Sequence, residues 1–377
     1  MMVAGHSFFE LANPEYYDLK LFPWDWWSFL RGKTAPTFLF LSGAVHVFAN
    51  FKGGAESIND NTFRRRIVMA VVLLIIGYTL NSPVNSFSEL FAISSAKLEL
   101  FYQVNILHIF GIGLFILAMI YRFAGSEKKV LYINIFLSIV FLICSPVVVN
   151  ANLDYLPKFL SNYFNYQSGS IFTLLPYSAY IFLGTVFGIL LRRRLKNELT
   201  SKGNTEMNIS KIECSNKLNQ FFNLRIGLIV LLSSIFFIIL GIIITKTFLA
   251  IGMRFDMRSD MGVVIRNTGI ILFIIFLARQ IKIGNIRIIE LISTLSKRAI
   301  FIYVIHLFII YGIGNIHGMK YYFGKMFEPP TAFLLSFFII IASILITLLI
   351  DKSLKYKFFK KFYILLFILY SIVFLLQ

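Results

Sequence analysis

The chain has 377 residues, 58% of them hydrophobic, 17% aromatic and 14% charged, with a formal net charge of +18 and a mean hydropathy of +0.78. A soluble domain of this length must show water a polar exterior, so the composition excludes a soluble enzyme and points to the bilayer. Runs such as LIVLLSSIFFIILGIII do not alternate as barrel strands do, which leaves an all-α, polytopic transmembrane helix bundle.

In chain order, the opening run MMVAGHSFFELA is apolar, and Asn13-Pro14 breaks it. As a helix it reaches only about 18 Å, short of the ~30 Å that a bilayer core requires. The expectation is a first helix that is incomplete at its N-terminus, or a start internal to the reading frame. Nothing basic precedes the run and no small-residue cleavage site ends it, so it is not a signal peptide. The stretch LFPWDWWSFLRGK reads as an amphipathic helix lying at the interface. Apolar windows follow at 34–51, 67–80, 104–121, 130–149, 171–191, 226–245, 261–277, 299–316, 331–350 and 362–376. With the incomplete first helix they make about eleven spans.

The net charge could suggest nucleic acid, but its distribution follows the spans. Connections 52–66, 122–129, 192–225, 279–298 and 352–361 hold 25 of the 36 Lys and Arg, the intervening ones hold 10, and Arg266 lies within a span. The positive-inside rule puts the first set in the cytoplasm and the C-terminus outside. The chain reads as a single integral membrane domain, 1–377, with 192–225 as a basic cytoplasmic connector. Cys144 falls in a span and Cys214 in that connector, so they do not pair.

Polar groups inside spans are costly and face a cavity or a partner. The candidates are His6, His46, Asn105, His108, Arg266, Asn267 and His306. His6 is a general base if a partner sets its tautomer, and a packing residue otherwise. His306 reads as glue between helices. Asn105 and His108, three apart, share one helix face and can bond each other or a common ligand. Arg266 can pair with Asp256 or Asp260, or hold an anionic substrate group. His46, near Lys52, Arg64, Arg65 and Arg66, offers positive charge to a phosphate-bearing donor, although arginine runs at cytoplasmic ends are also ordinary topogenic signals. Trp24 and Asp25, in the outer aromatic stretch, complete the substrate-binding set with Arg266 and His306. The sequence contains no Gly-rich phosphate loop, HExxH, GxSxG or paired-Cys motif, and no metal site is expected.

The run Ala35-Pro36-Thr37-Phe38-Leu39-Phe40-Leu41-Ser42-Gly43 resembles the second-helix signature of the heparan-α-glucosaminide N-acetyltransferase-like family, within the multi-pass membrane acyltransferase superfamily. Further matches follow in order: Asn105-Ile106-Leu107-His108-Ile109 with Gly111, then Leu174-Leu175-Pro176-Tyr177 with Phe182-Leu183-Gly184 and Gly188, then Tyr303-Val304-Ile305-His306-Leu307. The resemblance implies acyl transfer from cytoplasmic acyl-CoA, as acetyl-CoA, to a sugar amine or hydroxyl of a cell-surface or lipid-linked glycan. It makes His6 the base or acyl carrier, Asn105 and His108 the groups that orient the acceptor or polarise the thioester, and His46, Arg64 and Arg65 the donor-binding side. Acyl-CoA is then a co-substrate, and no cofactor is permanently bound. The partners are membrane lipid and glycan, not nucleic acid, in the plasma membrane; a homo-oligomer is left open. The chain departs from the family in two places: the Asp-x-x-Arg-Gly that opens family members is missing ahead of His6, and the histidine of the lysosomal enzymes has no counterpart in 13–33. A transporter of a lipid-linked or acylated saccharide, using the same buried polar groups, is the alternative.

Overall fold

The computed structural model describes residues 1–50, 58–82, 84, 88–166, 169–201, 224–253, 255–256, 258–281, 285–313 and 316–353. These are mostly helical: α1 (Met2–Leu11), α2 (Trp24–Asn50), α3 (Asp60–Leu80), α4 (Ser95–Phe101), α5 (Ile106–Phe123), α6 (Glu127–Asn150), α7 (Lys158–Ser161), α8 (Leu174–Ser201), α9 (Leu224–Ala250), α10 (Met261–Gln280), α11 (Ile286–Lys297), α12 (Ala299–Tyr311), α13 (Met319–Phe323) and α14 (Pro329–Ser353). A short antiparallel hairpin, β1 (Gly312–Ile313) with β2 (Ile316–His317), follows α12.

Among the described residues, six helices are long and apolar enough to cross a membrane: Ile106–Phe123, Glu127–Asn150, Leu174–Asn197, Arg225–Ala250, Met261–Gln280 and Pro329–Ser353. The count of about eleven is not reached there, for local reasons. The aromatic stretch expected to lie at the interface is instead the start of α2, which continues for 27 residues with Pro36 inside it. Asp25, Arg31 and Lys33 therefore dilute that helix, as Asp60 and Arg64 to Arg66 dilute α3. α12 is strongly apolar, but its 13 residues reach only about 20 Å. The window 362–376 and most of the 192–225 connector lie outside the described residues.

The chain forms two compact units, one of Met1–Thr34, Tyr78–Tyr102 and Glu290–Gln377, the other of Ala35–Gly77 and Gln103–Ile289. In the first, α1 packs on α12 and α14. Phe8, Leu11, Ala12, Ile310, Ala332 and Ile339 form its buried core. Phe8 stacks on Trp24 at 5.5 Å between centroids and meets Phe333 at 4.4 Å. An isolated helix as short as α1 is marginal. Aromatic burial holds this one, together with backbone pairing in which Asn13 N–H donates to Phe327 O at 2.8 Å and Phe327 N–H donates to Leu11 O at 3.1 Å.

In the second unit, α9 packs along α10 and α6 along α8. α2 crosses α8 at glycines: a Cβ on Gly43 would stand 2.0 Å from Ile181 O, and one on Gly184 would stand 1.9 Å from Phe40 O. Small residues let two backbones touch where lipid provides no hydrophobic drive for association. At one end of this unit, Glu127 clamps Arg192 and Arg193, the latter at 2.6 Å, and Asp60 pairs with Arg122 at 2.7 Å. α5 and α8 finish at this arginine-rich end. Both start at the opposite end, where Leu175 leaves helical geometry (φ −103°, ψ 127°), as a residue ahead of proline is driven to do.

Candidate functional site

The chemistry-bearing side chains fall into three clusters, one in the first unit and one at each end of the second. In the first unit, the His6 ring lies 5.6 Å from His306 and 6.3 Å from Tyr303, centroid to centroid, and the last two are 4.9 Å apart. His306 is fully buried. Neither of its ring nitrogens reaches hydrogen-bond geometry, although the Ile302 and Tyr303 carbonyls of its own helix stand close by. His6 is half-buried and, among the described residues, makes ring contacts but no hydrogen bond.

One turn along α1, Glu10 is 8% exposed. It accepts from Tyr311 OH at 3.0 Å and pairs with Lys320 at 3.1 Å. Arg31 lays its stem against Gly5 and its guanidinium 4.5 Å from the centroid of Phe9. His6 thus stands within electrostatic reach of one carboxylate and one guanidinium. An imidazole so placed, with neither nitrogen committed, can adopt the tautomer that a substrate demands. Trp24 belongs to the aromatic core described above. Asp25 is exposed at the α2 N-terminus, where it accepts from Trp26 N–H at 2.7 Å.

In the second unit, Asn105 does not share a helix face with His108; it is the N-cap of α5, and the pair forms a capping box. Asn105 Oδ1 accepts from Leu107 N–H at 2.9 Å, Asn105 N–H donates to His108 Nδ1 at 3.1 Å, and Asn105 Nδ2 donates to Gly77 O at 3.2 Å. Because Nδ1 accepts, a neutral His108 carries its proton on Nε2. The ring lies against Gly77, where a Cβ would meet it at 2.9 Å. The residue before the cap anchors the segment leading into α8: Val104 N–H donates to Ser170 Oγ at 3.0 Å, and Val104 O accepts from Ile171 and Phe172 at 3.1 and 3.2 Å. Both site residues therefore bond chiefly to backbone.

Nearby, Asn267 Nδ2 donates to Tyr180 OH at 3.0 Å. The expected pairing of Arg266 with Asp256 or Asp260 is not made. Asp256 pairs with Arg258 at 2.9 Å. Asp260 caps α10 through Gly262 N–H at 2.7 Å and accepts from Thr245 at 2.9 Å. A carboxylate at a helix N-terminus is stabilised by the orphan N–H groups there and has no need of an arginine. Arg266 Nε is buried without a hydrogen-bond partner.

At the arginine-rich end, His46 Nδ1 donates to Ser42 O at 2.8 Å. Arg64 and Arg65 are exposed. Arg66, which the sequence reading grouped with the basic run beside His46 but left out of the donor-binding set of His46, Arg64 and Arg65, turns inward. Its Nη1 is buried without a hydrogen-bond partner, and it lies within electrostatic reach of His46 and Tyr121. The signal was present in α3: Arg66 extends the buried stripe of Ala70, Leu73 and Gly77 by one turn on the same face.

These features define a multi-pass helical membrane protein whose reactive groups are histidines, arginines and tyrosines held within its helices, with no cluster of metal-ligating side chains among the described residues. Over residues 1–216, more than half of its length, the chain matches heparan-alpha-glucosaminide N-acetyltransferase, catalytic, and it belongs to that family. The match ends short of His317, to which the sequence motifs extend. No curated protein and no solved structure matches the chain.

Proposed function

We propose that the protein is a membrane acetyltransferase that moves the acetyl group of cytoplasmic acetyl-CoA to an amine or hydroxyl of a sugar in a cell-surface or lipid-linked glycan. The family match supports the reaction class. The observation that carries the residue assignment is the state of His6: half-buried, near Glu10 and Arg31, and without a hydrogen bond of its own among the described residues. By contrast, His46 and His108 each commit Nδ1 to backbone, and His306 is sealed.

In this reading the acceptor nitrogen or oxygen attacks the thioester carbonyl while His6 takes its proton. The tetrahedral intermediate collapses, the C–S bond breaks, and the proton returns to the departing thiolate. Arg66, with His46 beside it, meets a phosphate of the donor; Arg64 and Arg65 add positive potential at the surface. Asn105 and His108 position the loop at the other end of their unit. His306 and Tyr303 back the base. About eleven crossings, counted from the apolar windows, an extracytoplasmic C-terminus, from the charge distribution along the sequence, and the plasma membrane, which the short connections fit, belong to the same reading.

The test is transfer of radiolabelled acetyl-CoA into glycan and lipid fractions of vesicles carrying the protein. Label incorporation that His6→Ala abolishes at equal protein level is the expected result. Movement of unmodified saccharide without consumption of donor would instead establish the transporter.

A further inference from the structure

Helix α11 buries none of its residues, yet its sequence, IRIIELISTLSK, is sharply two-sided. By their three- and four-residue spacing, Ile288, Leu291, Ile292 and Leu295 fall on one face, and Arg287, Glu290, Thr294 and Lys297 on the other. The apolar face is open: Ile288, Leu291 and Ile292 are 46%, 50% and 45% exposed. Asn285 caps the helix, its Oδ1 accepting from Arg287 N–H at 2.9 Å and its carbonyl from Ile289 N–H at 3.2 Å. Ser296, at the border of the apolar face, turns its hydroxyl back onto the Ile292 carbonyl at 2.7 Å, so it needs no water there.

The place of α11 in the chain puts that face against lipid. The span α10 ends at Gln280, and residues 281–285 reach at most about 18 Å. At the other end, Arg298 pairs with Asp351 in the last turn of the span α14, and α12 begins at Ala299. Both ends of α11 therefore stand where membrane helices leave the hydrocarbon. Its 12 residues extend only about 18 Å, and a charged face runs along all of them. A helix so tethered cannot cross, and it lies along the bilayer surface with its apolar face down.

Charge chooses the lipid. Residues 279–298 hold five Lys and Arg against Glu290 as their one carboxylate. Arg287 and Lys297 are exposed, and among the described residues neither forms an ion pair. Long cationic side chains beside an apolar face reach phosphate while their stems cover hydrocarbon. We infer that α11 is an interfacial helix that docks on anionic phospholipid of the cytoplasmic leaflet, with Ile288, Leu291 and Ile292 among the acyl chains and Arg287 and Lys297 on the headgroups. α12, which carries Tyr303 and His306 beside His6, continues directly from α11, so the lipid contact fixes the height of that helix in the bilayer. The docking does not depend on the proposed acetyl transfer.

The test uses the full chain, with Cys144→Ser and Cys214→Ser, reconstituted in phosphatidylcholine vesicles that contain phosphatidylglycerol. A fluorescent label is attached through Ile292→Cys or Thr294→Cys, and a nitroxide is carried on one lipid or the other. The label at position 292 is quenched by lipid nitroxide and shielded from iodide present on both sides of the membrane; the label at position 294 shows the reverse. Nitroxide on phosphatidylglycerol half-quenches position 292 at about a fivefold lower mole fraction than nitroxide on phosphatidylcholine, the factor that one basic side chain at an anionic surface supplies. Arg287→Gln with Lys297→Gln brings the two lipids within about twofold of each other, while the melting temperature and the lipid quenching persist. A label at position 292 shielded from both quenchers would mean that another segment or a second copy covers the face, and iodide access at both positions would leave the face in water. Either result, equal quenching by the two lipids, or a preference that survives the double variant would overturn the inference. No readout here involves donor or acceptor, so the assignment of His6 stands or falls on its own assay.

Discussion

Replacing Arg66 by Gln isolates the donor side of the account. The guanidinium is half-buried, with Nη1 sealed and unbonded, and it lies within electrostatic reach of His46 and Tyr121. No carboxylate depends on it, so its loss strands no counter-charge. Relieving an uncompensated guanidinium costs the fold nothing and can stabilise it. Its contact with a donor phosphate is a charge-assisted hydrogen bond worth about 1.5–3 kcal/mol, or roughly 10- to 150-fold in affinity at 1.4 kcal/mol per decade. Arg66→Gln should therefore raise the KM for acetyl-CoA by that factor, leave the KM for the acceptor within about twofold, and keep or raise Tm. Arg64→Gln and Arg65→Gln, at exposed positions, should each shift the donor KM less than about threefold, and that shift should shrink with added salt as surface charge is screened. The measurement is initial-rate kinetics in detergent with each substrate varied in turn. Equal effects at all three arginines, or an Arg66 effect confined to the acceptor, would refute an inward donor contact.

Other outcomes follow from the same geometry. Glu10→Ala removes the acceptor of the Tyr311 hydroxyl and should lower stability by about 2 kcal/mol in a thermal melt; Lys320, half-exposed, contributes little to that loss. His108→Gln keeps a side chain able to complete the capping box and should retain most transfer activity, whereas His108→Ala loses about 1 kcal/mol of stability. A folded His108→Gln protein with no activity would show that the ring does chemistry. Gly184→Leu places atoms where the Phe40 carbonyl stands 1.9 Å from the first added carbon; overpacking of that kind costs about 3 kcal/mol or more and should abolish the monodisperse peak in size-exclusion chromatography. The Arg258 guanidinium holds the Asp256 carboxyl below its usual range. Its folded pKa thus lies below the unfolded value of about 3.9, so the pair stabilises above that pH and is lost as pH falls through the lower folded value. A carbon-detected titration of Asp256 should show a midpoint below about 3.9.

Much of this architecture was legible because bilayer solvation leaves a strong trace. The long apolar runs of α6, α9 and α14 mark themselves, and the family emerged from Ala35 to Gly43 and the Asn105 and Tyr303 motifs. What periodicity could not show was where a helix starts. Asn105 and His108 are three residues apart on either reading, but a cap residue has non-helical geometry, and the pair became a reciprocal backbone lock instead of two groups on one face. The same blindness to caps pointed Arg266 at Asp260, whose carboxylate already holds the α10 N-terminus. Arg66 was hidden in a run of three arginines that reads as a topology signal until the buried stripe of α3 picks out the inward one. Arg258, in the loop before α10, sits 3.9 Å from the ring centroid of Tyr166, in the segment after α7, and no spacing in the sequence joins the two.

The claim that His6 is the base is tested most directly by the pH profile and absolute rate of acetyl transfer from labelled acetyl-CoA, comparing the native protein with His6→Ala and His6→Gln in the same vesicles. The account predicts incorporation by the native protein, falling at acid pH as the imidazole protonates, and loss of at least about a hundredfold in both variants with the melting temperature kept. Variants that transfer label at the native rate, with the native pH profile, would contradict it and return His6 to a packing role.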